Sequence, residues 1–169
     1  LNVRRQRQMC IRDRFKPDGT RLFLIANTGT LVYQFDLSTP WDTSTISFSA
    51  KYNVTSESQL RTITFKPDGT RMYVSGSNKD KLKEYELTTP WDITTSNVTV
   101  GKTSASLASA DNSMRNVQFN STGTELYIGG NENNNMNKYT LSTAWDISTI
   151  SSTFTTSVSY THLRAHETQ

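Results

Sequence analysis

Cysteine and histidine are nearly missing from this 169-residue chain, which has one cysteine, Cys10, and two histidines, His162 and His166. A single cysteine excludes a disulfide framework. Thiol nucleophiles, the commonest general base and the usual zinc ligands are scarce for the same reason. No apolar run approaches the roughly 18 residues of a membrane span, the start lacks the apolar segment of a signal peptide, and helical periodicity is absent between Phe15 and Thr156. Excess charge is small as well: 18 Lys and Arg against 15 Asp and Glu give +3. Much of that surplus lies in Arg4, Arg5, Arg7, Arg12 and Arg14, which alone would suggest a basic arm for nucleic acid.

Residues 4–14 and 158–168 resemble the translation of adaptor DNA from transposase-based library preparation. Met9 to Arg14 reads as one adaptor end and Val158 to Leu163 as its reverse complement. Residues 1–14 and 157–169 are therefore expected to be adaptor-derived and non-native, with the natural protein continuing in both directions. Such scars are set aside in reasoning about a fold. Without Arg4, Arg5, Arg7, Arg12, Arg14, Arg164, Asp13 and Glu167, 12 basic residues face 13 acidic ones, a net charge of −1. Cys10, His162 and His166 leave too, and with them the basic arm. No nucleic-acid partner, membrane insertion, cofactor, metal or catalytic residue is expected of what remains.

What is present is a repeat. Phe15–Ile46, Phe65–Ser96 and Phe119–Ile150 align without gaps, each with 26 residues from its first Phe to its Trp, at periods of 50 and then 54. Each unit reads as four short strands. The first is clearest in Leu60–Phe65 and Met114–Phe119, where apolar and polar residues alternate. Lys-Pro-Asp-Gly-Thr follows in two units and Asn120-Ser121-Thr122-Gly123 in the third, so Gly19, Gly69 and Gly123 are expected to take the positive φ of a bulged hairpin. Second strands are expected at Arg21–Ala26, Arg71–Ser75 and Glu125–Gly129. Third strands fall at Thr30–Leu37, Lys81–Leu87 and Met136–Leu141. Weaker fourth strands fall at Ser47–Tyr52, Asn97–Lys102 and Ile150–Thr155.

Four antiparallel strands and a Gly/aromatic signature in about 50 residues describe one blade of a β-propeller. The expected fold class is all-β: a partial propeller of three four-stranded antiparallel blades. Blade 1 spans 15–64 with its first strand missing, blade 2 spans 65–118 with a preceding strand from about 58, and blade 3 spans 119–156. The Trp41-Asp42, Trp91-Asp92 and Trp145-Asp146 pairs lack the Gly-His of the WD40 signature. They are expected to be structural, the indole packing between blades and the carboxylate accepting from turn N–H groups.

The Phe-x-Pro-Asp-Gly-Thr-Arg-Leu/Met-Phe/Tyr stretch resembles the propeller repeats of lactonase-like and surface-layer YVTN-type bacterial proteins. The longer unit, with Tyr-x-Leu-Ser/Thr-Thr-Pro-Trp-Asp-Ile-Ser/Thr, looks closest to repeats of marine phage and bacterial structural or surface proteins. The resemblance covers Phe15–Ile150 and implies fold. It places no catalytic residue on this chain, because the shared residues are turns and packing positions.

Arg61 and Arg115 are the candidate ligand-binding residues. They start the first, innermost strands of two units, and strict alternation would point them the same way as Ile63 and Phe65, or Val117 and Phe119. One arginine per blade at a channel mouth focuses positive potential suited to carboxylate or phosphate; the plain alternative is an ion pair between blades. The loops after the second strands (Asn27–Gly29, Gly76–Asp80, Gly130–Asn135) and the fourth (Asn53–Gln59, Thr103–Ser113) differ between units, as binding loops on a rigid scaffold do. The run from Asn131 to Asn135 offers calcium-type oxygens but reads as a solvated hairpin tip. The expected function is non-catalytic: a binding or structural propeller contacting glycan or protein, on a virion or cell exterior in view of the Ser/Thr/Asn-rich composition. The remaining blades of the same protein are its other expected partner. The alternative is a fragment of a lactonase-like hydrolase with catalytic residues in other blades.

Overall fold

The computed structural model describes residues 12–26, 29–55, 57, 59–76, 81–107, 114–130 and 135–159. Among the described residues, twelve strands form three antiparallel sheets of four. β1 (Arg12–Phe15), β2 (Arg21–Ile25), β3 (Leu31–Leu37) and β4 (Ile46–Asn53) make the first, in that spatial order. β5 (Leu60–Phe65), β6 (Arg71–Gly76), β7 (Leu82–Leu87) and β8 (Val98–Thr103) make the second. β9 (Met114–Phe119), β10 (Glu125–Gly130), β11 (Asn135–Leu141) and β12 (Ile150–Ser159) make the third. The sheets stack face to face, with β5 against both β1 and β9, so the first strands are innermost.

Two details differ from the sequence-based expectation. The first sheet does not lack its first strand: Arg12–Phe15 pairs along β2, Phe15 opposite Leu22 and Arg12 opposite Ile25. Ladder bonds are made by backbone groups, so any extended segment entering the Lys16 turn can fill that edge, whatever its side chains. Short 3₁₀ turns at Thr43–Thr45, Thr95–Asn97 and Ile147–Thr149 also precede the fourth strands.

The turns follow the local chemistry. Gly19, Gly69 and Gly123 have φ of +74°, +74° and +72°, and their N–H groups donate to the carbonyls of Lys16, Lys66 and Asn120. Asp42, Asp92 and Asp146 each accept from a backbone N–H two residues on, at 2.9, 2.9 and 3.0 Å, as Asx turns do.

The tryptophans carry a feature that no local rule gives. Trp41, Trp91 and Trp145 have φ of +65°, +63° and +63°, a left-handed conformation that costs about 1–2 kcal/mol in a residue with a Cβ. Three interactions hold it. Each Trp N–H donates to the turn glycine's carbonyl at 2.9–3.0 Å. Each indole lies on that glycine, where any Cβ would overlap it, and each stacks on the first-strand phenylalanine, with Phe15–Trp41, Phe65–Trp91 and Phe119–Trp145 centroids 5.1 Å apart. The carbonyl is thereby turned toward the preceding sheet. Arg21 Nη1 donates to Trp91 O at 2.6 Å, and Arg71 Nη1 and Tyr73 Oη donate to Trp145 O at 3.1 and 2.8 Å.

The core lies between sheets. One cluster joins Phe23, Ile25 and Val32 of the first to Ile63, Met72, Val74 and Trp91 of the second. The other joins Tyr73 and Leu82 to Val117, Phe119, Leu126 and Ile147. Trp91, with a sheet in front of it, is 8% exposed, whereas Trp41, with none, is 58% exposed.

Candidate functional site

The candidate residues stand where the first strands leave their ladders. In β5, Leu60 pairs with Gly76 and Thr62 with Ser75, so Arg61 is an extra, unpaired residue. In β9, Met114 pairs with Gly130 and Asn116 with Gly129, so Arg115 is the same extra residue. Both arginines are therefore β-bulge residues, and the bulge breaks the two-residue alternation that would have set their direction. Leu60 and Met114 go into the core, at 1% exposure each, while both arginines are half-buried.

Bulges recur where a side chain must be re-aimed, and here two equivalent ones place cations on adjacent innermost strands. Burial, and then the neighbouring Arg115 charge, lowers the pKa of Arg61. Its Nε is buried with no hydrogen-bond partner, and none of the ion pairs among the described residues includes Arg61. The inter-blade ion pair expected as the plain alternative is thus not made by Arg61 among the described residues. The third position of the set, Ile11 by alignment, lies outside them.

Space around the pair is tight. Glu57 is buried, and its carboxylate and the Gln59 carbonyl stand where any side chain at Gly76 would go. Gly76 thus lets the entry to β5 cross close over the end of β6. Most of the variable loops (27–28, 56, 58, 77–80, 108–113 and 131–134) lie outside the described residues, as do Cys10, His162 and His166. Among the described residues no cluster of His, Cys, Asp and Glu is placed to hold a metal, and no helix is long and apolar enough to cross a membrane.

Arg14, which falls in the segment expected to be adaptor-derived, is placed across the centre by the structure. It spans three sheets, its Nε donating to Ile63 O at 3.2 Å and its Nη2 to Gln118 Oε1 at 3.4 Å. With Pro17, Thr64, Pro67 and Gln118 it lines a cleft of about 220 Å³ at the turn end of the first strands. Thr64 and Gln118 stand at its repeat-equivalent positions, so no ring of arginines forms there.

No protein-family model and no curated protein sequence matches the chain. Solved structures do. A candidate 6-phosphogluconolactonase from Bacteroides uniformis aligns with a TM-score of 0.59 at 15% identity, over 86% of this chain and 39% of its own. A protein from Lactobacillus plantarum aligns with a TM-score of 0.58 at 18% identity, over 88% and 40%. The β-propeller domain of Cps50 (Swd1) from Myceliophteria thermophila aligns with a TM-score of 0.51 at 11% identity, over 79% and 40%. The chain spans about two fifths of the length of each. At such identities the likeness concerns architecture alone, and it agrees with the three stacked sheets: the chain is a partial β-propeller of three blades.

Proposed function

We propose that this chain is the ligand-binding part of a non-catalytic β-propeller, and that the mouth formed by the starts of β5 and β9 takes an anionic group of a glycan or protein. The observation that carries this reading is the pair of equivalent bulged arginines on neighbouring innermost strands, one with a buried Nε left unbonded. Two like charges brought together at partial burial repel, and an anion between them relieves that repulsion. A guanidinium offers a planar fork to carboxylate or phosphate. The variable loops at the same end of the blades, after the second and fourth strands, would supply specificity around the charge. An exposed setting on a virion or cell surface fits the Ser/Thr/Asn-rich composition.

The test is an NMR titration of the arginine Nε–Hε resonances with glucuronate, and with glucose as the neutral control. Glucuronate is expected to shift the Arg61 and Arg115 resonances and glucose to leave them in place. The response should weaken about tenfold in each single Ala variant, the loss of one charge-assisted contact of about 1.5 kcal/mol, and should fall with added salt. Equal responses to the two sugars, or an unchanged response in Arg61→Ala, would overturn the reading.

A second reading is a fragment of a sugar-lactone hydrolase, because structural neighbours include a candidate 6-phosphogluconolactonase and the periplasmic gluconolactonase of Pseudomonas aeruginosa. It requires acidic or histidine side chains from further blades. Lactone hydrolysis by the complete propeller that is lost with substitutions in those blades would favour it.

A further inference from the structure

Lys102 of β8 meets Asp146 of the third sheet across the blade interface. Asp146 caps the 3₁₀ turn Ile147–Thr149. Its Oδ2 accepts from Lys102 Nζ, and its Oδ1 accepts from Ser148 N–H and Oγ–H at 3.0 and 2.6 Å. Beside Lys102 lies Glu84. In the β7–β8 ladder Lys83 pairs with Thr103 and Tyr85 with Val100, so a bulge sets Glu84 opposite both Gly101 and Lys102. A Cβ at Gly101 would stand 3.4 Å from Glu84 Oε1, so the carboxylate lies against the residue before Lys102.

The other interface does without these charges. Its equivalent places hold Gln34, Ala50 and Asp92, and Gln34 bonds across to Ile93 N–H. An ion pair whose lysine side chain is 45% exposed contributes little to stability. A fully buried carboxylate without a hydrogen bond detracts from it. Stability therefore does not explain the three groups together. They are what amide formation needs: an amine, a carboxyl carbon and a buried acid–base group with uncommitted oxygens.

We propose that Lys102 and Asp146 condense into an isopeptide bond that joins the second sheet to the third, with Glu84 as the proton carrier. Glu84 first moves one proton from the ammonium to Asp146 Oδ2, which leaves a neutral amine and a neutral acid. The Nζ lone pair then forms the N–Cγ bond, and the carbonyl pair moves to Oδ1, where Ser148 N–H and Oγ–H hold the oxyanion. As that pair returns, the Cγ–Oδ2 bond breaks, and Glu84 passes a second Nζ proton to the departing hydroxide. Of the three ammonium hydrogens, two leave in water and one stays on the amide; nothing is oxidised or reduced. The bonds from Lys102 and Ser148 lower the Asp146 pKa and so favour the open ion pair. Against that, groups held in place react as if present at about 10⁵–10⁸ M. Burial raises the Glu84 pKa, which suits a group that must both take and return a proton near neutral pH. Freshly folded chain carries the open ion pair, the form in which Glu84 is costly to the fold.

Mass spectrometry of the full chain, held folded at pH 7 over days, reads the bond as the loss of one water. Trypsin cuts after Lys83, Arg115, Lys138 and Arg164 but not after a joined Lys102, so the product is one branched peptide of residues 84–115 and 139–164. Succinimides at Asp18-Gly19 or Asp68-Gly69 lose the same mass but leave Lys102 open to trypsin. Lys102→Arg keeps the ion pair with a side chain that does not condense, and it should retain its full mass at this site. Glu84→Gln, folded by the precedent of Gln34, should form the branched peptide at least tenfold more slowly, and chain unfolded in urea should not form it. A folded parent without the branched peptide overturns the proposal, as does equal condensation in urea. Glu84→Gln condensing at the parent's rate overturns the role of Glu84.

Discussion

Gly69→Ala is expected to destabilise the protein by about 3 kcal/mol, while Gly29→Ala, the control, stays within about 0.5 kcal/mol. Two costs add at position 69. The backbone there has φ +74°, which costs an alanine about 1–2 kcal/mol, and the new methyl would stand inside the Trp91 indole. Trp91 has nowhere to retreat. It is 8% exposed, stacked on Phe65, close to Phe23 across the sheet interface, and tied by its carbonyl to Arg21. Forcing a well-packed ring aside costs a further 1–3 kcal/mol. Gly29 has no positive φ, and a Cβ there meets nothing closer than 4.0 Å. Urea denaturation of both variants checks this. Equal midpoints for Gly69→Ala and the parent would mean that the glycine–tryptophan contact does not hold the turn.

Glu84→Gln is expected to do the opposite, raising stability at pH 7 by about 1–3 kcal/mol, the usual cost of a buried polar group without its bonds. Glu84 is fully buried, and neither carboxylate oxygen has a hydrogen bond. Its nearest cation, Arg71 Nη1, lies 3.7 Å away, too far to be one. Burial raises the Glu84 pKa above its ordinary 4.5. Arg71 and Lys102 of β8 oppose the rise, whereas Asp146 of the third sheet and Glu86 add to it. The charged form is thus disfavoured only in the folded state. Below about pH 4.5 the group is neutral in both states and carries no ionisation cost; as pH rises from there toward the folded pKa, the unfolded chain ionises first and stability is lost.

The repeat shows what glutamine does in this place. Gln34 is the equivalent residue of the first unit, and it accepts from Ile93 N–H at 2.9 Å and donates to Ser49 Oγ at 3.2 Å. An amide at position 84 therefore removes the pH-dependent loss and brings bonding groups to the same interface. The gap between variant and parent should be smallest near pH 4 and widen progressively above it. A constant difference at every pH would assign the gain to packing rather than to ionisation.

Both predictions rest on contacts whose two halves differ in legibility. The turn was readable, because Pro-Asp-Gly-Thr is local chemistry: proline presets φ, aspartate accepts from the threonine N–H at 3.0 Å, and glycine takes the left-handed corner. The same holds for the strands, whose apolar alternation repeats three times, and for the Trp-Asp pairs, expected to pack and to cap. The arginines at 61 and 115 were readable as an equivalent pair, but their direction was not. Alternation assumes an unbroken ladder, and a bulge is decided by the partner strand, here the Gly76 and Gly130 ends of β6 and β10.

Taken alone, the sequence determined the repeat, the four-strand pattern of the unit, the turn glycines and the all-β class. Each depends on residues within a hairpin's reach, where sterics and hydrogen bonding act on neighbours. Tertiary structure decided the rest. The Arg21 and Arg71 bonds to carbonyls 70 and 74 residues away and the burial of the Glu84 carboxylate without a hydrogen bond exist only where one sheet lies on another, while the tryptophans' left-handed backbone and the bulged arginines depend on strands brought together within each sheet. Burial between the sheets removes water, and what a polar group then meets is set by the facing blade rather than by its neighbours in sequence.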